Sequence, residues 1–311
     1  MKIQSQCTST ILMIRPASFG YNEETAVNNV YQQKTGNTDN AIIHQQALNE
    51  FDAFAKKLSD AGVDVIIVPD TPEPPKPDAL FPNNWISFHD DGTVVLYPMY
   101  ASNRRKERRI SILENLKNEY GFVINKLIDL TQNELQTKFL EGTGSLVLDR
   151  VNKIAYASVS VRTTPELVYD FCRQFNYKPI LFNAVAKGVS VYHTNVLLSV
   201  CDRFAVICLD YILSKHEKEE LLRTIKQTQK EVLIITEKQA SSFAGNMLEL
   251  KSEKGESLLV MSTAAYISLD HEQISFLSKH CKIIHSQLNT IEKYGGGSAR
   301  CMVAEIFLQR N

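Results

Sequence analysis

Apolar residues recur at three- and four-residue intervals over five stretches, 41–60, 103–119, 164–176, 215–229 and 270–280, and this spacing predicts five amphipathic helices. Thr164, Pro165 and Glu166 form a helix start, because a capping side chain and a first-turn proline suit a terminus with unpaired N–H groups. Gly62 offers a stop for the first helix. Between the helices lie short β-branched and apolar runs: VDVIIV (63–68), TVVLY (93–97), SLVL (145–148), VSVY (189–192), RFAVICL (203–209), EVLIIT (231–236), SLLVMS (257–262) and KIIH (282–285). Such runs suit buried strands. Helix starts recur about every 50–60 residues, so the organisation points to five strand–helix units, although the units share little sequence. The proline-rich TPEPPKPD (71–78) reads as a stiff loop inside one domain spanning 1–311, since no compositional break follows it.

Composition narrows the function. The chain has 311 residues, 44% of them apolar, enough for a sizeable core. A net charge of −1 with 22% charged residues provides no electrostatic footprint for nucleic acid or an anionic membrane. The run Arg104-Arg105-Lys106-Glu107-Arg108-Arg109 is local, interrupted by an acid, and for most of its residues reads as a solvated helix face. No stretch approaches the roughly 20 apolar residues of a membrane span, and MKIQSQCTSTILMIRP lacks the apolar core of a secretory signal. The six cysteines are scattered without a CxxC pair, which fits a reducing cytoplasm, and Cys201 and Cys208 read as core thiols. No metal or cofactor is expected, and a homo-oligomer is left open.

Chemistry concentrates at four junctions where a loop enters a strand. GGGSARCMVAEIFL places Cys301 just after three glycines, where a thiol can meet a ligand while Met302 and Val303 enter the core. VYHTNVLLSV carries His193, FLEGTGSLVLD carries Glu141 at a glycine turn, and DALFPNNWISF carries Asp78, Asn83 and Asn84. Each alone has a structural explanation: a buried thiol, a hydrogen-bonded histidine, a turn. Together they supply a thiol nucleophile, a base and an orienting acid.

The order of these pieces resembles the guanidino-group modifying superfamily, which includes arginine deiminases, dimethylarginine dimethylaminohydrolases, amidinotransferases and dihydrolases. The resemblance runs from MIRPASF to the C-terminus and is nearest the bacterial amidinotransferase-like branch associated with citrulline use. It implies an α/β fold, a five-bladed α/β propeller (pentein) of ββαβ-type units around a central site. It also implies Cys301 as nucleophile, His193 as proton shuttle and Glu141 as the histidine's partner. NRRKE would place Arg104, and SVRTT Arg162, on the carboxylate of a small amino-acid substrate. The MIRPASFGYN stretch, with Phe19 and Asn22, is a candidate for a loop within 15–40 that closes over that substrate.

The chain departs from the deiminase pattern where two aspartates would grip a guanidinium. Those positions read Asn84 and Asn195, and the EGGD-type motif carries Gly144 instead of an acid. A guanidinium offers only donors, whereas a ureido group also carries an acceptor oxygen that an asparagine amide can satisfy. The asparagines therefore favour hydrolysis of citrulline to ornithine, carbon dioxide and ammonia. An arginine deiminase, a dihydrolase or a dimethylarginine dimethylaminohydrolase is the enzymatic alternative. An amidinotransferase would need an amine in place of water. A non-catalytic propeller that binds a partner is the alternative from another class, and it predicts loss of Cys301, His193 and Glu141.

Overall fold

A computed structural model describes residues 5–34 and 39–311. Strands β1 (Thr10–Arg15) and β2 (Asp64–Pro69) run parallel, joined by the helix Asn40–Asp60. The same plan then repeats. β3 (Ile86–Phe88), β4 (Thr93–Leu96) and β5 (Lys126–Asp129) form one sheet, and β6 (Val147–Asp149), β7 (Ile154–Ser158) and β8 (Lys178–Phe182) the next. After a hairpin of β9 (Val185–Ala186) and β10 (Val189–Ser190) come β11 (Leu198–Val200), β12 (Phe204–Cys208) and β13 (Glu231–Ile235). β14 (Leu248–Lys251), β15 (Ser257–Ser262) and β16 (Lys282–Ser286) make the fourth set, and β17 (Ala304–Glu305) returns to β1. In each of these five sheets the middle strand is antiparallel to a short inner strand and parallel to the third.

Four of the five predicted helices occur close to their expected bounds, at Asn40–Asp60, Pro165–Phe175, Lys215–Gln227 and His271–His280. The first buries Ile43, Ala47, Phe51, Phe54 and Leu58 on one face against its own sheet and its neighbour. Each of the large ones, Ile43, Phe51, Phe54 and Leu58, contributes about 1.5–3 kcal/mol when fully buried. Thr164 caps no helical N–H; its hydroxyl instead accepts from the Phe139 N–H at 2.9 Å. The helix expected over 103–119 is broken. Asn103–Glu107 is a 3-10 turn, Arg108 is extended, and the helix proper is Ser111–Asn118. The break turns Arg104 and Glu107 inward, where both are buried, so Arg104 is not part of a solvated face.

The VSVY run is likewise corrected: only Val189–Ser190 is strand, in the hairpin, and Val191–Tyr192 leads into the histidine turn. SLVL is corrected at its start, since Gly142–Ser145 is a helical turn and pairing begins at Val147. The proline-rich loop is tied down by Lys76, whose ammonium is buried, donates to the carbonyls of Thr71 and Pro74, and pairs with Asp70 at 3.4 Å.

Candidate active site

Each inner strand is preceded by a tight turn, and the turns touch in sequence. The Thr143 hydroxyl donates to the Asn83 carbonyl at 3.4 Å, the Thr194 hydroxyl to the Ser145 carbonyl at 2.6 Å, and the Asn246 amide to the Asn195 carbonyl at 2.7 Å. The Arg300 N–H donates to Asn246 Oδ1 at 3.1 Å, and β17 lies against the Pro82–Asn84 turn. Glycine permits two of these approaches. A Cβ on Gly144 would sit 2.5 Å from Asn84 Nδ2 and 2.8 Å from His193 Nδ1, and one on Gly142 would sit 2.2 Å from the Asn83 carbonyl. The absence of an acid at 144 is thus a steric necessity here, since a larger side chain would displace Asn84 or His193.

Cys301, His193, Asp78, Asn84, Arg104 and Arg162 line one small, closely packed cavity. Glu141 lies behind it, fully buried, with Oε2 at 2.7 Å from His193 Nε2 and Oε1 accepting from the Tyr100 N–H at 3.0 Å. Burial opposes ionisation of Glu141, but Arg162, the His193 bond and Arg104 outweigh it and hold the carboxyl at about 2. Burial pulls His193 the other way, down to about 4, against the raising effect of Glu141. Both groups are thus held below their ordinary values, which favours a carboxylate beside a neutral imidazole.

The sulfur is held by amides. Cys301 Sγ lies 3.4 Å from Asn246 Nδ2 and 3.6 Å from Asn195 Nδ2. Burial pushes the thiol up, while the Ser298 backbone, Asn246, Arg300 and Asn195 pull it down. Asn195 thus sits at the nucleophile. Asn246 was not among the sequence candidates: its stretch, AGNMLEL, carries no histidine or cysteine, and its one acid, Glu249, lies inside the strand Leu248–Lys251. The signal available was positional, an asparagine just before an apolar inner strand, as in PNNWISF and HTNVLLS.

The two arginines differ. Arg104 makes a two-pronged bond to Glu107, at 2.9 Å on each side, and donates to Asn84 Oδ1 at 2.8 Å. Its charge is committed to its own surroundings, so its geometry supports Asn84 more than it offers a free fork to a ligand. Arg162 lies over the Tyr192 ring at 4.7 Å and donates to the Thr25 carbonyl at 2.8 Å and through Nε to Asn28 Oδ1 at 2.8 Å. Asp78 accepts from Asn22 at 2.7 Å and from Thr25 at 3.1 Å, and its other oxygen has no partner. Burial raises the Asp78 carboxyl, only partly offset by Arg104. Asn83 accepts from Asn84 at 3.0 Å, while its own amide N–H lacks a partner.

The segment 22–33 therefore covers the site, with Asn29 donating to the Gly295 and Gly296 carbonyls and Gln32 to that of Tyr294. Asn22 belongs to this cover. Phe19 instead packs in the core and donates its N–H to His44 at 3.0 Å. Residues 35–38 of the expected loop lie outside the described residues.

The model of one protein family matches residues 15–308: N,N-dimethylarginine dimethylhydrolase, eukaryotic. The chain belongs to this family. It lies within the guanidino-group modifying superfamily, whose hydrolases act on guanidino C–N bonds. No curated protein matches by sequence. Among solved structures, the chain is similar to the substrate-bound N-terminal domain of ArgZ, an arginine dihydrolase from the ornithine–ammonia cycle in cyanobacteria. That match has a TM-score of 0.73 at 16% identity, covering 96% of this chain and 97% of that domain. Against the longer chain of apo ArgZ, this chain spans only 40% of that protein's length. AgrE in complex with ornithine and NAD+ matches at 14% identity with a TM-score of 0.74, over 97% of this chain and 40% of that one. A dimethylarginine dimethylaminohydrolase variant, as its adduct with S-methyl-L-thiocitrulline, matches at 15% identity and TM-score 0.65, over 96% and 100%. At these identities the likeness concerns the mixed α/β fold. Among the described residues no helix is long and apolar enough to cross a membrane, and no cluster of His, Cys, Asp and Glu is placed to hold a metal ion.

Proposed function

We propose that this protein is a cysteine hydrolase of the guanidino group of an arginine-like amino acid, and that it carries the reaction through a ureido stage to ornithine. Family membership favours a guanidino substrate over the citrulline-first reading drawn from the asparagines. The observation that carries the proposal is the chemistry around the sulfur: Cys301 meets the amides of Asn195 and Asn246, with Asn84 in the same cavity. An amide accepts from guanidinium N–H groups and donates to a ureido oxygen, so one site serves both stages. Asp78, with its unpartnered oxygen, and Arg162 suit the α-ammonium and α-carboxylate of the substrate.

In the reaction, the Cys301 proton passes to His193, and the thiolate then bonds to the guanidino carbon as the carbon–nitrogen π pair moves onto nitrogen. His193 then gives that proton to the leaving ammonia, and later takes one from the attacking water. Glu141 orients the imidazole and stabilises its transient charge. A second cycle on the ureido carbon completes the balance: arginine and two waters yield ornithine, carbon dioxide and two ammonia molecules. On this reading the five sheets are blades of one propeller domain with the site at its axis. The six free thiols fit a reducing cytoplasm.

The family match also favours a second reading, hydrolysis of dimethylarginine that stops at citrulline. Incubation of wild type and Cys301→Ala with arginine, dimethylarginine and citrulline separately distinguishes the two. Ornithine from both arginine and citrulline, lost in the variant, is the expected result. Citrulline accumulating as the final product of dimethylarginine would replace it with the second reading. Ornithine from citrulline with none from arginine would overturn the guanidino assignment.

A further inference from the structure

Asn246 is 1% exposed and both ends of its amide are engaged by the backbone. Oδ1 accepts the Arg300 N–H at 3.1 Å, and Nδ2 donates to the Asn195 carbonyl at 2.7 Å. A flipped amide would set donor against donor and acceptor against acceptor, so the orientation is fixed. In that orientation Nδ2 also presents an N–H to Cys301 Sγ at 3.4 Å. Asn246 Oδ1 lies farther from the sulfur, at 3.7 Å, and Asn195 approaches more loosely with both atoms, Nδ2 at 3.6 Å and Oδ1 at 4.0 Å. His193 is committed to Glu141 through Nε2. Gly245 allows the approach, because a Cβ there would lie 2.4 Å from the Val196 carbonyl and push the turn away.

We propose that Asn246 is the oriented donor that holds the Cys301 sulfur as a thiolate, both for attack and when the S–C bond breaks. The proposal deepens the cysteine-hydrolase reading and rests on it. In the attack, a sulfur electron pair forms the S–C bond, the π pair of the attacked carbon moves onto its nitrogen or oxygen, and the Asn246 contact weakens. In hydrolysis, water adds to carbon, its proton goes to His193, and the S–C bonding pair returns to sulfur facing the Asn246 N–H. A hydrogen bond to an anion is stronger than one to a neutral group, so the thiolate gains more from this contact than the thiol.

The test is the pH dependence of Cys301 alkylation by iodoacetamide, followed on the Cys301 peptide by mass spectrometry. It is measured for wild type, Asn246→Asp and Asn246→Ala, with circular dichroism to confirm folding. Asn246→Asp keeps an acceptor for the Arg300 N–H and replaces the donor at sulfur with a carboxylate oxygen. Its alkylation inflection moves up by a unit or more, so alkylation at neutral pH slows about tenfold. The kcat for arginine falls alongside while KM changes little, and Asn246→Ser, which retains a shorter donor, recovers part of both. An inflection unchanged in every folded variant overturns the proposal. If the inflection shifts as described but wild type turns over no guanidino compound, the functional reading fails and the role of Asn246 at the sulfur stands.

Discussion

The two walls of the site are built differently. On the nucleophile side, five short turns are locked into inner strands and bonded to one another, as by Thr194 to Ser145 and Asn246 to Asn195. On the opposite side, segment 22–33 is held mainly by polar side chains that reach the very groups suited to a substrate: Asn22 and Thr25 on Asp78, Asn28 on Arg162. Disturbing the first wall breaks several side-chain bonds to backbone that join one turn to the next. On the proposed reading, a zwitterionic substrate would exchange partners with these asparagine and threonine side chains of the second. The reaction geometry would then be preorganised, and binding would compete with the protein's own cover.

The largest effect that separates the walls is expected at Glu141. Glu141→Gln should lower kcat on the order of 10³-fold with little change in KM, because it removes the carboxylate that orients His193. Steady-state kinetics check this, and a loss confined to KM would place Glu141 with the binding wall. A smaller effect of the opposite kind is expected at Asn28. Asn28→Ala frees Arg162 from an internal competitor, so KM for arginine should fall about threefold with kcat preserved, in the range of one neutral hydrogen bond. A rise in KM would mean that Asn28 works with the bound substrate.

The smallest effect concerns stability. Glu292 accepts from the Ser298 hydroxyl at 2.6 Å in the turn before Cys301, and burial raises its carboxyl to about 7 against the bonds from Ser262 and Ser298. A folded value above the unfolded 4.5 means that the stabilising proton is fully held below about 4.5 and lost as pH rises through about 7. Glu292→Gln should raise Tm at pH 8 by roughly 2–4 °C and flatten its decline between pH 5 and 8 in thermal melts. His193 and Glu141 act oppositely: their folded values lie below the ordinary ones, so they remove stability as pH falls, His193 between 6.5 and about 4 and Glu141 between 4.5 and about 2.

Much of this arrangement was legible in the sequence, for physical reasons. Helices such as Asn40–Asp60 are long enough for their apolar period to show, and Cys301, His193 and Glu141 are chemically conspicuous at loop-to-strand junctions, those of Cys301 and Glu141 rich in glycine. The inner strands were harder: β3, β6 and β11 have three residues each and β17 has two, too short for any period to emerge. The 103–119 helix misled because burial of the Arg104–Glu107 pair overrides the helical pattern. Asn246 escaped because its chemistry is neutral and its role depends on a contact to Cys301, 55 residues away. The bonding of Asn28 to Arg162, over 134 residues, is invisible to local pattern for the same reason.

The most direct test of the central claim, that one amide-lined thiol site handles both a guanidino and a ureido carbon, is a time course with arginine as sole substrate. Citrulline, ornithine and ammonia are quantified together in wild type. The account predicts that ornithine accumulates, that two ammonia molecules appear per ornithine, and that citrulline is at most transient. Citrulline rising to match the arginine consumed, with one ammonia each and no ornithine, would contradict it.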